Sequence, residues 1–189
     1  MMTKKKLITL IVVMLSFSVG SCSGLSSYKY TNIYSMTSPH DSTSKEYGDK
    51  KIVIKFWIDE KRLNFIMKNL TDEPIIIDWA KAEYIHVDSK RHSVSNHDSM
   101  FTNARFNPPR SIIEAGAKIV DSVVPAKNVQ KLEEFTWYVN PLLNQFDKDA
   151  YLNKGKTMGV DLPVYANGAW ETYSFRFRII NVAPSSRRL

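Results

Sequence analysis

The chain has 189 residues, 43% of them hydrophobic and 12% aromatic, with one cysteine and a formal net charge of +7. That length gives one domain or at most two small ones, apolar enough to build a core that no intrachain disulfide can staple. The basic residues are mixed with acids, as in Lys131-Leu132-Glu133-Glu134, and form no long stripe, so nothing points to a nucleic-acid partner.

The chain opens on Met1-Met2-Thr3-Lys4-Lys5-Lys6, followed by an apolar run from Leu7 to Val19 that only Thr9, Ser16 and Ser18 interrupt. A basic start, an apolar stretch of about 7–15 residues and a small-residue junction make a secretory signal. The run falls short of the roughly 20 apolar residues that span a bilayer. Residues 1–21 are therefore expected to be a signal peptide, and without its three lysines the remaining chain carries +4. The junction Val19-Gly20-Ser21-Cys22 resembles a bacterial lipobox: an aliphatic residue, two small residues and cysteine. The resemblance implies that the Cys22 thiol takes up a diacylglycerol and that the chain is cut just before it. Small side chains admit the peptidase, and a thiolate is the best nucleophile for the lipid. The plainer alternative is an ordinary signal peptide whose cleavage falls near a cysteine. Acyl chains such as palmitate contribute about 0.8 kcal/mol per buried CH₂, so a lipidated chain is anchored to a membrane without crossing it. Ser23 follows the cysteine where Asp is absent, which by resemblance to enterobacterial sorting favours the outer membrane of a Gram-negative cell.

Residues 22–50 are rich in Ser and Thr and read as a tether, although the aromatic "YKYTNIYS" within it suits a docked first strand equally well. From residue 51 the pattern changes. "KIVIKFWI" (51–58) is β-branched and aromatic; "RLNFIMKNL" (62–70) could pass for a short helix, but it lies between strong strand signals, and as a strand it puts Leu63, Phe65 and Met67 on one side. "TDEP" (71–74) is turn chemistry, and "IIIDW" (75–79) and "EYIHV" (83–87) resume strand. Asp88-Ser89-Lys90-Arg91 reads as a hairpin turn, and 95–110 as a long connection. "SIIEAGAKIVDSVVP" (111–125) holds two apolar bursts around a Gly116 turn. "AKNVQKLEEF" (126–135) is the best helical window, with Val129 and Leu132, and Phe135 as a third, at three-residue steps. Residues 140–159 read as an irregular insertion. Asn167-Gly168 then marks a hairpin whose second strand alternates Tyr173, Phe175, Phe177 and Ile179 with Ser174, Arg176 and Arg178.

Short strands, frequent turns and one short helix predict a mainly β fold, an antiparallel immunoglobulin-like β-sandwich over 51–183 with a tail at 184–189. The segments "FIMKNLTDEPIIIDWAKAEYIHVDSKRHSV" and "IIEAGAKIVDSVVPAKNV" resemble uncharacterised bacterial envelope lipoproteins of immunoglobulin-like build. The matching residues are Asn69, Thr71, Pro74, Ile75, Asp78, Trp79, Gly116, Asp121 and Pro125. The resemblance implies a fold and an extracytoplasmic location, and brings no catalytic residues.

His86, His92 and His97 lie near Asp88 and Asp98, and a hairpin could bring His86 and His92 together as weak zinc candidates. No HExxH pattern accompanies them, so no metal and no cofactor are expected. No G-x-S-x-G occurs, and Asp59-Glu60 and Asp72-Glu73 sit where solvated turns are expected. The Asn69-Leu70-Thr71 sequon is expected to stay bare in a bacterial lipoprotein. Trp79 is expected in the core, whereas Trp137 and Tyr138 are the candidate contact surface. The expectation is a non-enzymatic binding module whose partner is an envelope protein or another envelope component. The alternatives are a periplasmic hydrolase and a carrier of a small apolar ligand between the sheets.

Overall fold

The computed structural model describes residues 28–134 and 136–185. The expected signal peptide, the lipobox residues Val19, Gly20 and Ser21, and Cys22 lie outside the described residues. Every strand pairing among the described residues is antiparallel, and the helical content is three short 3-10 segments. The mainly antiparallel β class expected from the sequence is the class the chain adopts.

The Ser/Thr-rich stretch supplies two strands, β1 (Tyr30–Ser38) and β2 (Glu46–Gly48). β3 (Ile52–Ile58) and β4 (Leu63–Asn69) pair in register from Ile52 opposite Asn69 to Ile58 opposite Leu63. Short β5 (Ile75–Ile77) and β6 (Glu83–Ile85) follow, and β6 turns back into β7 (Arg91–Ser95). The long connection at 95–110 holds a 3-10 segment, Asn103–Phe106, before β8 (Ser111–Ile113) and β9 (Lys118–Pro125). The expected helix at 126–135 is helical only over Ala126–Asn128. It continues as β10 (Val129–Lys131), which pairs with β11 (Trp137–Val139). Val129 is buried while Leu132 is exposed, so the three-residue spacing does not mark one apolar face, and hairpin pairing wins. The insertion contains a 3-10 segment, Asp147–Asn153. β12 (Thr157–Ala166) and β13 (Ala169–Pro184) then form the longest hairpin, around Asn167 (φ 52°) and Gly168 (φ 81°). Positive φ at both turn residues is what the sharp two-residue turn requires.

Eleven strands form one continuous sheet in the order β1-β13-β12-β6-β7-β9-β4-β3-β2, with β5 on β12 and β8 on β5. The sheet curls over where β7 meets β9 through Val94–Pro125 and Ser95–Val124. Its two ends approach each other, since Met36 of β1 exchanges backbone hydrogen bonds with Ser42 just before β2. β3 thereby faces β13: the Phe56 ring lies 4.8 Å from Phe175 and 5.0 Å from Phe177. Alternation decides which side chains enter this interior. Ile52, Ile54 and Phe56 point in, as do Leu63, Phe65 and Met67, and Phe175, Phe177 and Ile179. Trp79 is buried among them, as expected, with Nε1–H donating to Ser111 Oγ at 2.8 Å.

Candidate contact surface

A second, smaller core lies apart from the main one. Met100, Val124, Val129 and Val139 pack together beneath the β10–β11 hairpin and the loop that follows β7, with Trp137 against them. The loop is fixed at its base: Ser99 Oγ donates to Asn96 Oδ1, and Asp121 Oδ1 accepts the backbone N–H of His97 at 2.8 Å. Thr102 caps the 3-10 segment by accepting from the Ala104 N–H, and Ser95 Oγ donates to the Arg105 carbonyl at 2.6 Å. These contacts hold a short row of rings at the surface.

Phe101 and Trp137 have centroids 6.3 Å apart. The Arg105 guanidinium lies 4.5 Å from the Phe106 ring and 5.2 Å from the Trp137 ring. Lys131 Nζ adds a second cation 5.9 Å from Trp137. Among the described residues no carboxylate pairs with Arg105, and its Nε–H is buried without an acceptor. Phe101 is 45% and Phe106 56% exposed, so the apolar faces reach solvent beside an uncompensated positive charge. Trp137 is half-buried at the inner edge of this row. Tyr138, its neighbour in sequence, faces the other side of the hairpin, where Lys61 Nζ lies 4.8 Å above its ring. Phe101, Arg105 and Phe106 escaped the sequence reading. The signal available was "MFTNARF", two aromatic residues flanking an arginine in a stretch with no strand pattern.

The histidines behave differently from a metal site. His86 and His92 do approach across the β6–β7 hairpin, with ring centroids 6.3 Å apart. However, His86 Nδ1 is 2.9 Å from Asp88 Oδ1, and His92 Nε2 is 2.9 Å from the Lys127 ammonium. Burial, then the charges of Lys127 and His86, hold the His92 pKa below its usual value. Lys90 and His86 together hold the Asp88 carboxyl well below the usual carboxylate range. His97 lies on the loop instead, and no group of three or more His, Cys, Asp or Glu side chains converges among the described residues. An open depression of about 650 Å³ beside His86 is lined by Leu142, Leu143, Asp149 and Lys156. Asn69 is fully buried. Its amide donates to the carbonyls of Glu73, Ile113 and Glu114, so the sequon nitrogen is inaccessible in the folded chain.

Comparison of the chain with protein-family models, with curated proteins and with solved structures finds no match.

Proposed function

We propose that this chain is a lipid-anchored bacterial envelope protein that works by contact, a non-enzymatic binding module of immunoglobulin-like β-sandwich build. The observation that carries the reading is the ring row of Phe101, Phe106 and Trp137 around Arg105, which donates to the Thr102 carbonyl and has no carboxylate partner among the described residues, set on its own small core beside a filled main core. Rings and an arginine held ready in one geometry are what a binding surface needs, because little ordering remains to be done on association. The filled interior supports the contact module over the carrier, since Phe56, Phe65, Phe175 and Phe177 occupy the space between the facing strands. The immunoglobulin-like reading rests on those facing strands and on the curl at β7–β9. Lipid on Cys22 supplies the membrane attachment, with the outer membrane favoured in a Gram-negative cell, and the partner is an envelope protein or another envelope component.

The test is photo-crosslinking in intact cells, with probes at Phe106, Lys131 and Leu132 around Trp137 and a Cys22→Ala chain run beside it. One dominant envelope adduct, lost without the anchor and weakened by Trp137→Ala, is expected. Equal labelling of many proteins at every probe position would sink the reading.

A further inference from the structure

On a different part of the surface, the end of β5, the start of β8 and the tip of the β12–β13 hairpin meet around one carboxylate. Asp78 follows β5 and its side chain is only 4% exposed. Trp79, locked in the core, fixes its position, and the next turn folds Lys81 back, with the Lys81 N–H donating to the Asp78 carbonyl at 3.2 Å. Arg110 Nη2 donates to Asp78 Oδ2 at 3.1 Å, and Lys81 Nζ stands 3.9 Å from the same oxygen. Two cations therefore face one anion. Glu171, the nearest acid along the hairpin, is engaged by Lys51 at 2.7 Å. Among the described residues the Arg110 guanidinium makes one hydrogen bond, leaving four of its five N–H groups, and the Lys81 ammonium makes none.

The two cations are also held in place by a ring. Arg110 Cζ lies 5.4 Å and Lys81 Nζ 5.5 Å from the Trp170 centroid, and Tyr165 packs against that ring at 5.4 Å. Arg110 and Lys81 remain 57% and 67% exposed, so their free donors reach solvent. They border an open cleft of about 620 Å³ whose walls are Ala80, Ala104, Pro108 and Pro109. The volume is in the range of small-molecule sites, about 300–1,000 Å³. The proline pair gives the cleft a stiff apolar wall, while Trp170 steadies the two cations from outside it.

We propose that this cleft binds a small ligand through an oxyanion, carboxylate or phosphate, carried on a flat apolar group. The oxyanion takes the free donors of Arg110 and Lys81, and the apolar part lies against Ala80, Ala104 and the proline wall. Buried Asp78 orients Arg110 and limits affinity by its own negative charge. A plain surface ion pair would leave one cation per carboxylate and no walled space beside it.

The full chain, purified in detergent, is titrated with phenyl phosphate, benzoate and neutral benzyl alcohol. The readout is the NMR signals of the Arg110 Nε–H and Trp170 indole N–H. Saturable shifts at both signals are expected for the anions and not for the alcohol. Tighter phenyl phosphate binding identifies a phosphate ligand, and tighter benzoate binding a carboxylate. Lys81→Gln leaves the Arg110–Asp78 pair intact and is expected to weaken binding about fivefold, with Arg110→Gln weakening it about tenfold or more. Asp78→Asn, nearly isosteric, is expected to tighten binding severalfold, an effect that a purely structural ion pair does not produce. Shifts that grow linearly without saturation, or an affinity unchanged in Lys81→Gln and Asp78→Asn, overturn the proposal.

Discussion

Two polar side chains inside the sheet illustrate how single residues carry the fold. Asp161 of β12 is nearly buried between two arginines: Arg176 Nη1 donates to Oδ1 at 2.7 Å and Arg91 Nη1 to Oδ2 at 2.9 Å. Burial alone pushes the carboxyl up, but Arg176, Ser174 and Arg91 outweigh it and its pKa is lowered. A carboxyl with a depressed pKa in the folded state contributes stability above its unfolded value, and that contribution is lost as pH falls through the folded value. Asp161→Asn is expected to cost about 1–3 kcal/mol at pH 7, and the gap to the parent should close as pH drops below about 4. Urea titrations of both chains across that range check it. A gap constant with pH would mean that shape, not charge, is what Asp161 supplies. Asn69 acts through geometry instead. Its Nδ2 serves three carbonyls and its Oδ1 accepts from the N–H and the hydroxyl of Thr71, tying the β4–β5 turn to the β8–β9 turn. Asn69→Ala is expected to cost about 2–4 kcal/mol by urea denaturation, because buried carbonyls lose their donor.

At the scale of elements, the β12–β13 hairpin separates two uses of glycine. Gly168 has φ +81° with open space around it, so Gly168→Ala meets backbone strain alone and should cost about 1 kcal/mol. Gly159 has no such angle. A Cβ there would lie 2.3 Å from the Phe175 carbonyl oxygen and 2.6 Å from Arg176 Cδ, on the strand opposite. Gly159→Ala must push β13 away and pull Arg176 from Asp161, so it should cost about 3 kcal/mol or more and narrow the pH dependence argued for Asp161. Comparing the unfolding midpoints of the two variants decides the order, and equal losses would refute it. The turn glycine was legible in Asn167-Gly168, because that dipeptide carries its own backbone signal. Gly159 was not, since its neighbour is chosen by pairing with β13. The same divide runs through the strands. β3 and β13 announce themselves by alternation and β4 by the strand signals on either side of it, whereas β1 is a polar, aromatic sequence that becomes strand because β13 is long enough to pair with it from Tyr30–Pro184 to Ser38–Arg176. The window at 126–135 misled because two aliphatic residues three apart suit a helix and a hairpin turn equally well.

For the whole molecule, the position of β1 sets how far the domain stands from any anchor. Of the stretch read as a tether, β1 takes Tyr30–Ser38 and β2 takes Glu46–Gly48, and the Lys29 backbone already bridges to Phe146. Lipid on Cys22 would then be separated from the sheet by residues 23–28 alone, a reach of at most about 25 Å even fully extended. An anchored domain so placed samples a thin shell above the membrane, which raises its effective concentration toward partners at that height and denies it more distant ones. Two measurements follow in sequence. Cells given radiolabelled palmitate should label the parent chain and leave Cys22→Ala unlabelled, and the variant should move from the membrane pellet to the soluble fraction. Inserting about 20 Gly/Ser residues between Leu25 and Tyr28 should then leave the unfolding midpoint unchanged, since no described contact is cut, while adding a flexible span of roughly 25 Å. With the longer tether, crosslinks from the Trp137 region to a membrane-bound partner should weaken, because the same domain now explores a larger volume. Labelling of Cys22→Ala by palmitate, or crosslinks indifferent to tether length, would place the attachment or the partner elsewhere.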